Sequence, residues 1–315
     1  MGGLGGEGVK RVVPVLFGPT ASGKSELALD LAAQDSRIEI IAADSRQVYR
    51  SLDVGTAKPG SAERKMVRHH MIDLIPPSEV YSAGLYGEQA RHVIDEVESR
   101  GGIPLIVGGS GFYIRALIDG LATPVLDAVI ANNIQQELAT NGAQYLWDEL
   151  WKVDPVTASR CPKENHARVV RALGCFRQTG RPLSSFDVRQ QDRDVAPVAS
   201  YAVLAPAREV VYASINRRFD TMVLSGLVDE TREAMQQYGS SAPGLRSVGY
   251  REVVRMLVGE YSQERMVELG KRSTRQLAKR QFTWARGQIS EAAVYLGHAD
   301  VARASEWMRR VAVGR

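Results

Sequence analysis

Cysteine is scarce in this chain. Its 315 residues hold two, Cys161 and Cys175, and neither belongs to a C-x-x-C pair. That argues against a disulfide scaffold and fits a reducing, cytoplasmic setting. Long apolar runs are missing too, since nothing approaches the roughly 20 residues of a membrane span. A charge excess of one sign is also absent: 40 basic against 36 acidic residues leave a formal net charge of +4. Bulk charge therefore does not announce a polyanionic partner, and the clustering of basic residues has to decide. The start, Met-Gly-Gly-Leu-Gly-Gly-Glu, has no hydrophobic leader, and Gly6 stands where a myristoylation signal needs Ser or Thr. Residues 1–10 read as a disordered tail. What remains is globular, 44% hydrophobic and 24% charged, and long enough for one large α/β domain or two smaller ones.

Apolar periodicity divides the chain. Val12 to Phe17 is a short apolar run ending at Gly18, and Lys24 to Gln34 reads as a helix with Leu27, Leu31 and alanines inward. Ile38 to Ala43 is a second strand, stopped by Asp44. Ser82 is placed to cap a helix running to about Arg100, with Leu85, Val93, Ile94 and Val97 on its buried side. Ile103 to Val107 is a third strand, followed by Gly108-Gly109-Ser110-Gly111 and a helix to about Ile118. Strands alternating with helices predict a parallel sheet covered on both faces. Beyond Gly120 the pattern turns helical: Asp127 to Ala139, Ala143 to Trp151, and Asn165 to Gln178, stopped by Gly180-Arg181-Pro182. Tyr201 to Ala205 reads as a returning strand. The remainder is helical, with Gly244 to Gly249 as a loop. The partition is residues 11–120 and 195–315 as one sheet domain, and 121–194 as a helical insertion.

Gly18-Pro19-Thr20-Ala21-Ser22-Gly23-Lys24-Ser25 satisfies G-x-x-x-x-G-K-[ST], after a strand and at the opening of a helix. Glycines let the backbone curl so that successive N–H groups point at phosphate oxygens, and the helix N-terminus adds the positive end of its dipole. Lys24 supplies a mobile charge, and Ser25 is the residue positioned to offer a hydroxyl oxygen to Mg²⁺. A P-loop ATPase also needs an acid at the end of a second strand to help hold magnesium. Ile103 to Val107 runs into glycines, whereas Ile38 to Ala43 ends in Asp44. Asp44 is thus a magnesium helper, a cap for the turn that follows, or a catalytic carboxylate.

The neighbouring blocks are more specific. Ala43-Asp44-Ser45-Arg46-Gln47-Val48-Tyr49, Asp53-Val54-Gly55-Thr56-Ala57-Lys58-Pro59, His69-His70-Met71-Ile72-Asp73 and Tyr81-Ser82-Ala83 follow the loop in order. Ile103 to Tyr113, Arg168-Val169-Val170-Arg171-Ala172-Leu173, Ser247-Val248-Gly249-Tyr250-Arg251 and Thr274 to Gln281 come after them. Together, from about residue 12 to 288, they resemble the tRNA dimethylallyltransferase family. The resemblance implies an α/β fold, a P-loop NTPase-like parallel sheet flanked by helices with an inserted, mainly helical domain. It also implies Mg²⁺, a dimethylallyl pyrophosphate donor and a tRNA acceptor, modified at the exocyclic amine of the adenosine 3′ of the anticodon. The expected partners are those two substrates, with no membrane and a monomeric chain.

An allylic donor ionises toward a delocalised cation while charge builds on departing pyrophosphate, so the backbone of residues 18–25, Lys24 and Mg²⁺ would stabilise that charge. The resemblance adds Thr20 and Ser22 as pyrophosphate contacts, and Arg218, in Asn216-Arg217-Arg218-Phe219-Asp220, is a further candidate. An adenine amine is a poor nucleophile, and a carboxylate in reach can orient it and take its proton. Asp44 is that candidate, and the resemblance assigns it the same role. The base must be extruded from the anticodon loop to be reached.

By the resemblance, Asp44, Ser45, Arg46, Gln47 and Ser110 face the tRNA, as do Ala167, Arg168, Val169, Val170 and Arg171. So do Arg246, Ser247, Val248, Gly249, Tyr250 and Arg251, and Lys279, Arg280, Gln281 and Arg286. On a helix, Lys271, Arg275, Lys279 and Arg286 share one side and Leu277 and Trp284 another, a basic stripe suited to a phosphate backbone or simply to water. His69 and His70 read as loop structure rather than metal ligands, Trp147 and Trp151 as core, and Glu63-Arg64-Lys65 as solvated surface. The insertion departs from the family pattern: Val129 to Asn133 lacks an expected Arg, Gly174 replaces a Glu, His166 replaces an acid, and Ser214 stands for an Arg. The main rival reading is a small-molecule or nucleoside kinase, which shares the loop and the acid. A second is an NTP-dependent RNA-binding module.

Overall fold

The apolar runs become strands and the amphipathic stretches between them become helices. In chain order, β1 (Val12–Phe17), α1 (Lys24–Gln34), β2 (Ile38–Ala43), α2 (Ser61–Met66) and the two-residue β3 (His69–His70) come first. Next are α3 (Ala83–Ser99), β4 (Ile103–Gly108) and α4 (Gly111–Ile118). A helical stretch contributes α5 (Ala128–Val153), α6 (Pro155–Ser159) and α7 (His166–Thr179). The chain closes with β5 (Val198–Leu204), α8 (Arg208–Leu224), α9 (Leu227–Tyr238), α10 (Tyr250–Leu257), α11 (Gln263–Gln288), β6 (Val294–Leu296) and α12 (Val301–Val313). This computed structural model describes residues 11–120, 126–186, 197–289, 293–297 and 300–313, so the expectation for residues 1–10 lies outside them.

The strands form one six-stranded sheet in the order β3-β2-β4-β1-β5-β6, and every pairing is parallel. Parallel strands are covered on both faces, which is why β4 reads Ile-Pro-Leu-Ile-Val-Gly with no polar alternation and is buried throughout. Side chains alternate between two cores. Val13, Val15, Phe17, Ile41 and Ile106 pack with Tyr86 and Ile94 of α3 and Tyr113 and Leu117 of α4. Leu16, Ile40, Leu105 and Val107 pack with Leu27 and Leu31 of α1 and Trp307 of α12. No helix among the described residues is long and apolar enough to cross a membrane.

The chain divides after Ile118 and again before Val195 into two compact units. The unit 119–194 has its own apolar core of Ile134, Leu146, Leu150, Val169 and Leu173. The two helices expected up to Trp151 are present as the two halves of α5, separated at Gly142, whose φ of 82° no ordinary helix tolerates. Asp127 caps α5, accepting from the amides of Val129 and Ile130, rather than starting it. Gly174 has a packing reason: a Cβ there would lie 2.4 Å from Leu126 Cδ1. Trp147 is partly buried and donates to the carbonyl of Cys161, but Trp151 is 39% exposed, so only half of the expected core pair is core.

Other expectations are refined. The returning strand begins at Val198, three residues early, because it pairs along the whole of β1. His69 and His70 form the edge strand β3, and His70 pairs with Glu39, itself held by Arg100. Those bonds pull the Glu39 carboxyl down to about 2. Glu63 and Arg64 are not merely solvated: Glu63 accepts from the Gly60 amide, and Arg64 pairs with Asp73.

Helices α3 and α4 meet at Gly87, where a Cβ would sit 2.5 Å from the carbonyl oxygen of Ala116. Gly87→Ala is therefore expected to destabilise the protein by about 1–3 kcal/mol through overpacking. Gly84→Ala, three residues earlier with ordinary space around it, is expected to be neutral or slightly stabilising. Urea unfolding midpoints of both variants check the contrast.

Candidate functional site

Three strands end level with one another. Phe17 pairs with Gly108 and Gly108 with Ala43, so β1, β4 and β2 deliver Gly18, Gly109 and Asp44 to the same carboxyl edge of the sheet. Ligands of open α/β sheets bind at that edge. β4 lies between the other two, so the glycine loop and Asp44 stand two strand spacings apart, roughly 10 Å. Gly108 is required there, because a Cβ would lie 2.1 Å from Ala43 O.

The loop itself is tightly curled. Gly23, the residue before α1, has a φ of 92°, and Ala21 is held at 61°, a left-handed conformation that costs a residue with a Cβ about 1–2 kcal/mol. Strain of this kind persists where the surroundings impose it, and Ala21 packs against the cluster of Val211 and Ile215 of α8 and Ala278 of α11. The first amides of α1 have no intrahelical partners. Ser22 is buried at 1% exposure, and its hydroxyl finds no partner among the described residues. A buried unpaired hydroxyl costs free energy unless a ligand satisfies it. Lys24 donates to the carbonyl of Pro19 across the loop at 3.3 Å. Ser25 lies exposed at the first turn.

Charge converges on this loop. Burial pushes the Lys24 ammonium down to about 8, Asp44 pulls it back up, and Arg218 adds to the downward push. Burial likewise lowers the Arg218 guanidinium, and Asp44 opposes it. Two desolvated cations on α1 and α8 thus share one carboxylate at the sheet edge, and the imbalance favours an added anion. Asp44 accepts from the Arg46 amide at 2.8 Å, so it also caps the turn after β2. The capping role and the charged role coexist on its two oxygens.

Sequence reasoning missed the aromatic wall beside Asp44. Tyr86 and Tyr113 stack with ring centroids 4.3 Å apart, and Tyr81 meets Tyr113 edge-on at 6.2 Å. Burial raises the hydroxyl pKa of Tyr86 and of Tyr113, and the Asp44 charge adds to both. Tyr86 is fully buried, with its hydroxyl unpartnered among the described residues. Tyr81 and Tyr113 lay inside recognisable sequence blocks, whereas Tyr86 was not among the residues singled out on the helix after Ser82.

The predicted RNA-facing residues separate into two groups. Arg46, Arg246, Lys279, Arg280 and Arg286 are exposed, and Arg46 and Arg246 both act electrostatically on Tyr49. Ser45 donates its amide to the Ser110 hydroxyl at 3.0 Å, which places Ser110 beside Asp44, and Gln47 donates to the carbonyls of Thr56 and Ala57. Arg251 is half-exposed and bonds Glu252 and Ser273. Four side chains are removed from the expected set. Val169 and Val170 belong to the core of the 119–194 unit. Ser247 is buried and donates to Gly244 O, and Tyr250 is buried with its hydroxyl on Glu230. Helical periodicity and a tight turn turn these four inward, while Ala167 and Arg168 stay exposed and Val248 and Gly249 form the turn into α10. Arg171 lies partly buried on the same helix as Arg168.

The basic stripe on α11 is shorter than its spacing suggests. Lys271 pairs with Asp220, and Arg275 donates to Asn216, so both hold α11 against α8. Gln281 turns inward too, onto Thr20 and Gly109. The blocks around Asp53 and Asp73 are structural: buried Lys58 binds Tyr49 O and Asp73 at 2.7 Å, and Glu230 accepts from the amides of Asp53, Val54 and Gly55.

The lowered Lys24 value sets a pH expectation. Its positive charge is half lost at about 8, nearly complete one pH unit below and nearly gone one unit above. Pyrophosphate affinity of the free protein is expected to fall up to about tenfold between pH 7 and 9. In Lys24→Arg, which cannot lose its proton in this range, that dependence is expected to flatten; calorimetric titration at several pH values checks it.

The profile of the IPP transferase family matches residues 47–288, more than half of the chain. A tRNA dimethylallyltransferase of Nitrosomonas eutropha is 42% identical over 275 residues, covering 86% of each chain. The structure of a tRNA delta(2)-isopentenylpyrophosphate transferase from Staphylococcus epidermidis is similar with a TM-score of 0.69 at 30% identity, covering 97% of this chain and all (100%) of that one. A eukaryotic dimethylallyltransferase acting on tRNA shares the fold, with a TM-score of 0.77 at 24% identity, over 96% of this chain and 78% of its own. With the phosphate loop, Asp44 and the intervening glycine strand in the arrangement described, the chain belongs to the IPP transferase family.

Proposed function

We propose that this protein transfers a dimethylallyl group from dimethylallyl pyrophosphate to the exocyclic N6 amine of the adenosine 3′ of the anticodon in tRNA, releasing pyrophosphate. The observation that carries the reading is the placement of Asp44 one strand beyond β4 from the phosphate loop. The strand between the loop and Asp44, β4, ends in glycine and offers no acid of the kind a P-loop ATPase uses to help hold its metal. A gap of two strand spacings instead accommodates a five-carbon group between a leaving diphosphate and a base.

In this reading Gly18, Pro19, Thr20, Ala21, Ser22, Gly23, Lys24 and Ser25 hold the pyrophosphate, and Arg218 adds a second cation. The helix amides and both cations strengthen their hold as charge moves from the allyl carbon onto the departing oxygen. The allylic C–O bond breaks, the adenine nitrogen bonds to the same carbon, and Asp44 takes the proton that nitrogen loses. The stacked, buried rings of Tyr86 and Tyr113 lie beside Asp44 and would keep water from that side of it. Mg²⁺ fits the donor set only in company with the diphosphate: no cluster of three acidic, His or Cys side chains stands among the described residues, and the Ser25 hydroxyl would join phosphate oxygens and water in holding it. When bound it would neutralise charge on the leaving group. The tRNA would lie over the exposed Arg46, Arg246, Lys279, Arg280 and Arg286, with Ala167, Arg168 and Arg171 of the 119–194 unit as further contacts.

Incubation with Mg²⁺, tRNA and labelled dimethylallyl pyrophosphate is expected to place label in the RNA. ATP consumption with unlabelled RNA would select the kinase reading. Asp44→Asn is expected to lower turnover by about 10²–10⁴-fold while tRNA affinity changes little. An equal loss of binding and turnover would remove Asp44 from the role of base. Lys279→Ala and Arg280→Ala are each expected to weaken tRNA binding and to lower the salt slope of log Kd by about one, read by filter binding across salt concentrations.

A further inference from the structure

We propose that Gln281 is a positioning residue that sets the distance between the donor cradle and Asp44. The inference rests on the transferase reading above. Gln281 comes from α11, outside the sheet, and its amide joins two loops that leave different strands. Its Oε1 accepts from the Thr20 amide at 2.8 Å, and its Nε2 donates to Gly109 O at 3.0 Å. The nearby main-chain bond between the same loops, from Gly18 N to Gly108 O, is long at 3.3 Å. From Gly109 the connection continues around Asp44: Ser110 donates its amide to Ala43 O at 3.1 Å, and its hydroxyl accepts from Ser45 N at 3.0 Å. A hydrogen-bonded path thus runs from the pyrophosphate loop through Gln281 to the residues on either side of Asp44.

The fit is specific to this residue. A primary amide offers an acceptor and a donor on one planar group, and both are used. Gly109 makes room for it, since a Cβ there would lie 2.4 Å from Gln281 Nε2. One turn along α11, Trp284 packs on Phe17 at 5.1 Å and covers Gly111, where a Cβ would meet the indole at 2.2 Å. The helix therefore cannot slide along the sheet edge without expelling Trp284. Because Gln281 occupies the Thr20 amide, the hydroxyl is the group Thr20 has left to offer a diphosphate. Bond transfer requires the reacting atoms within roughly 3–3.5 Å, and a misplacement of about 1 Å costs on the order of a hundredfold in rate.

Gln281→Met keeps the length and volume of the side chain and removes both hydrogen bonds. Two measurements test the role: pyrophosphate titration with Mg²⁺ in the absence of RNA, and single-turnover transfer at saturating donor and tRNA. The expected result is a severalfold loss of pyrophosphate affinity, a loss of about 10–100-fold in the single-turnover rate, and a tRNA Kd within about twofold of the unsubstituted protein. Gly109→Ala, which presses a methyl into the amide and against Gly18 O at 2.8 Å, disturbs the same junction from the loop side and is expected to give the same pattern with circular dichroism showing a folded chain. An undiminished rate in either variant would overturn the proposal. So would a loss of tRNA affinity as large as the loss of rate, which would make Gln281 a direct RNA contact. If the unsubstituted protein moves no prenyl group to tRNA, the transferase reading fails on its own; unchanged pyrophosphate affinity in Gln281→Met then overturns the positioning role independently.

Discussion

The in-register parallel pairing of β1, β4 and β2 is the constraint from which the site follows. It brings Phe17, Gly108 and Ala43 level, so that the residues after them emerge side by side. Nothing in the individual sequences of the three strands contains that geometry. It arises because helices lie between the strands in the chain, and a helical crossover brings each strand back in the same direction while covering both faces. A phosphate loop, a glycine turn and a carboxylate become neighbours through hydrogen bonds between main chains.

Around that edge, charge is arranged by burial rather than by number. The chain's net charge is small, yet two cations are desolvated at one point and face a single carboxylate. Local imbalance in a low-dielectric setting acts on an anion more strongly than a broad basic surface. The exposed arginines and lysines farther out act differently. They are exposed, so salt screens them.

Much of this was legible in the sequence, and the parts that were not share a cause. The loop, its strand and its helix were readable because turn chemistry, apolar run and periodicity lie next to one another in the chain; α1 and β2 begin and end where the pattern places them. Asp44 was readable from its position at a strand end, and Arg218 is drawn in by the same charges that hold Lys24. Lys271 and Arg275, placed by a helical wheel, and Gln281, placed by the resemblance, turn elsewhere because neither reading shows which side of a helix meets a neighbour. Here α8 claims Lys271 and Arg275, and the glycine loops claim Gln281. Val169, Val170, Ser247 and Tyr250 show the same limit in a motif: a block can be recognisable because it packs, not because it binds. Tyr86 was hidden for the reverse reason, as a polar group on an otherwise apolar face.

The strand that carries the phosphate loop has one neighbour early in the chain and the other late. β4 pairs with one edge of β1, but the opposite edge is covered only by Val198–Leu204, after the whole helical insertion has passed. On a ribosome adding about 5–20 residues per second, the nascent chain therefore carries its glycine loop on a half-finished sheet for several seconds. During that interval the bared edge of β1 is open to mispairing, and the unit 119–194, with its separate core, has time to collapse first. Completion of the donor cradle is then a late event of synthesis, governed by the arrival of β5 and of the helices that follow it.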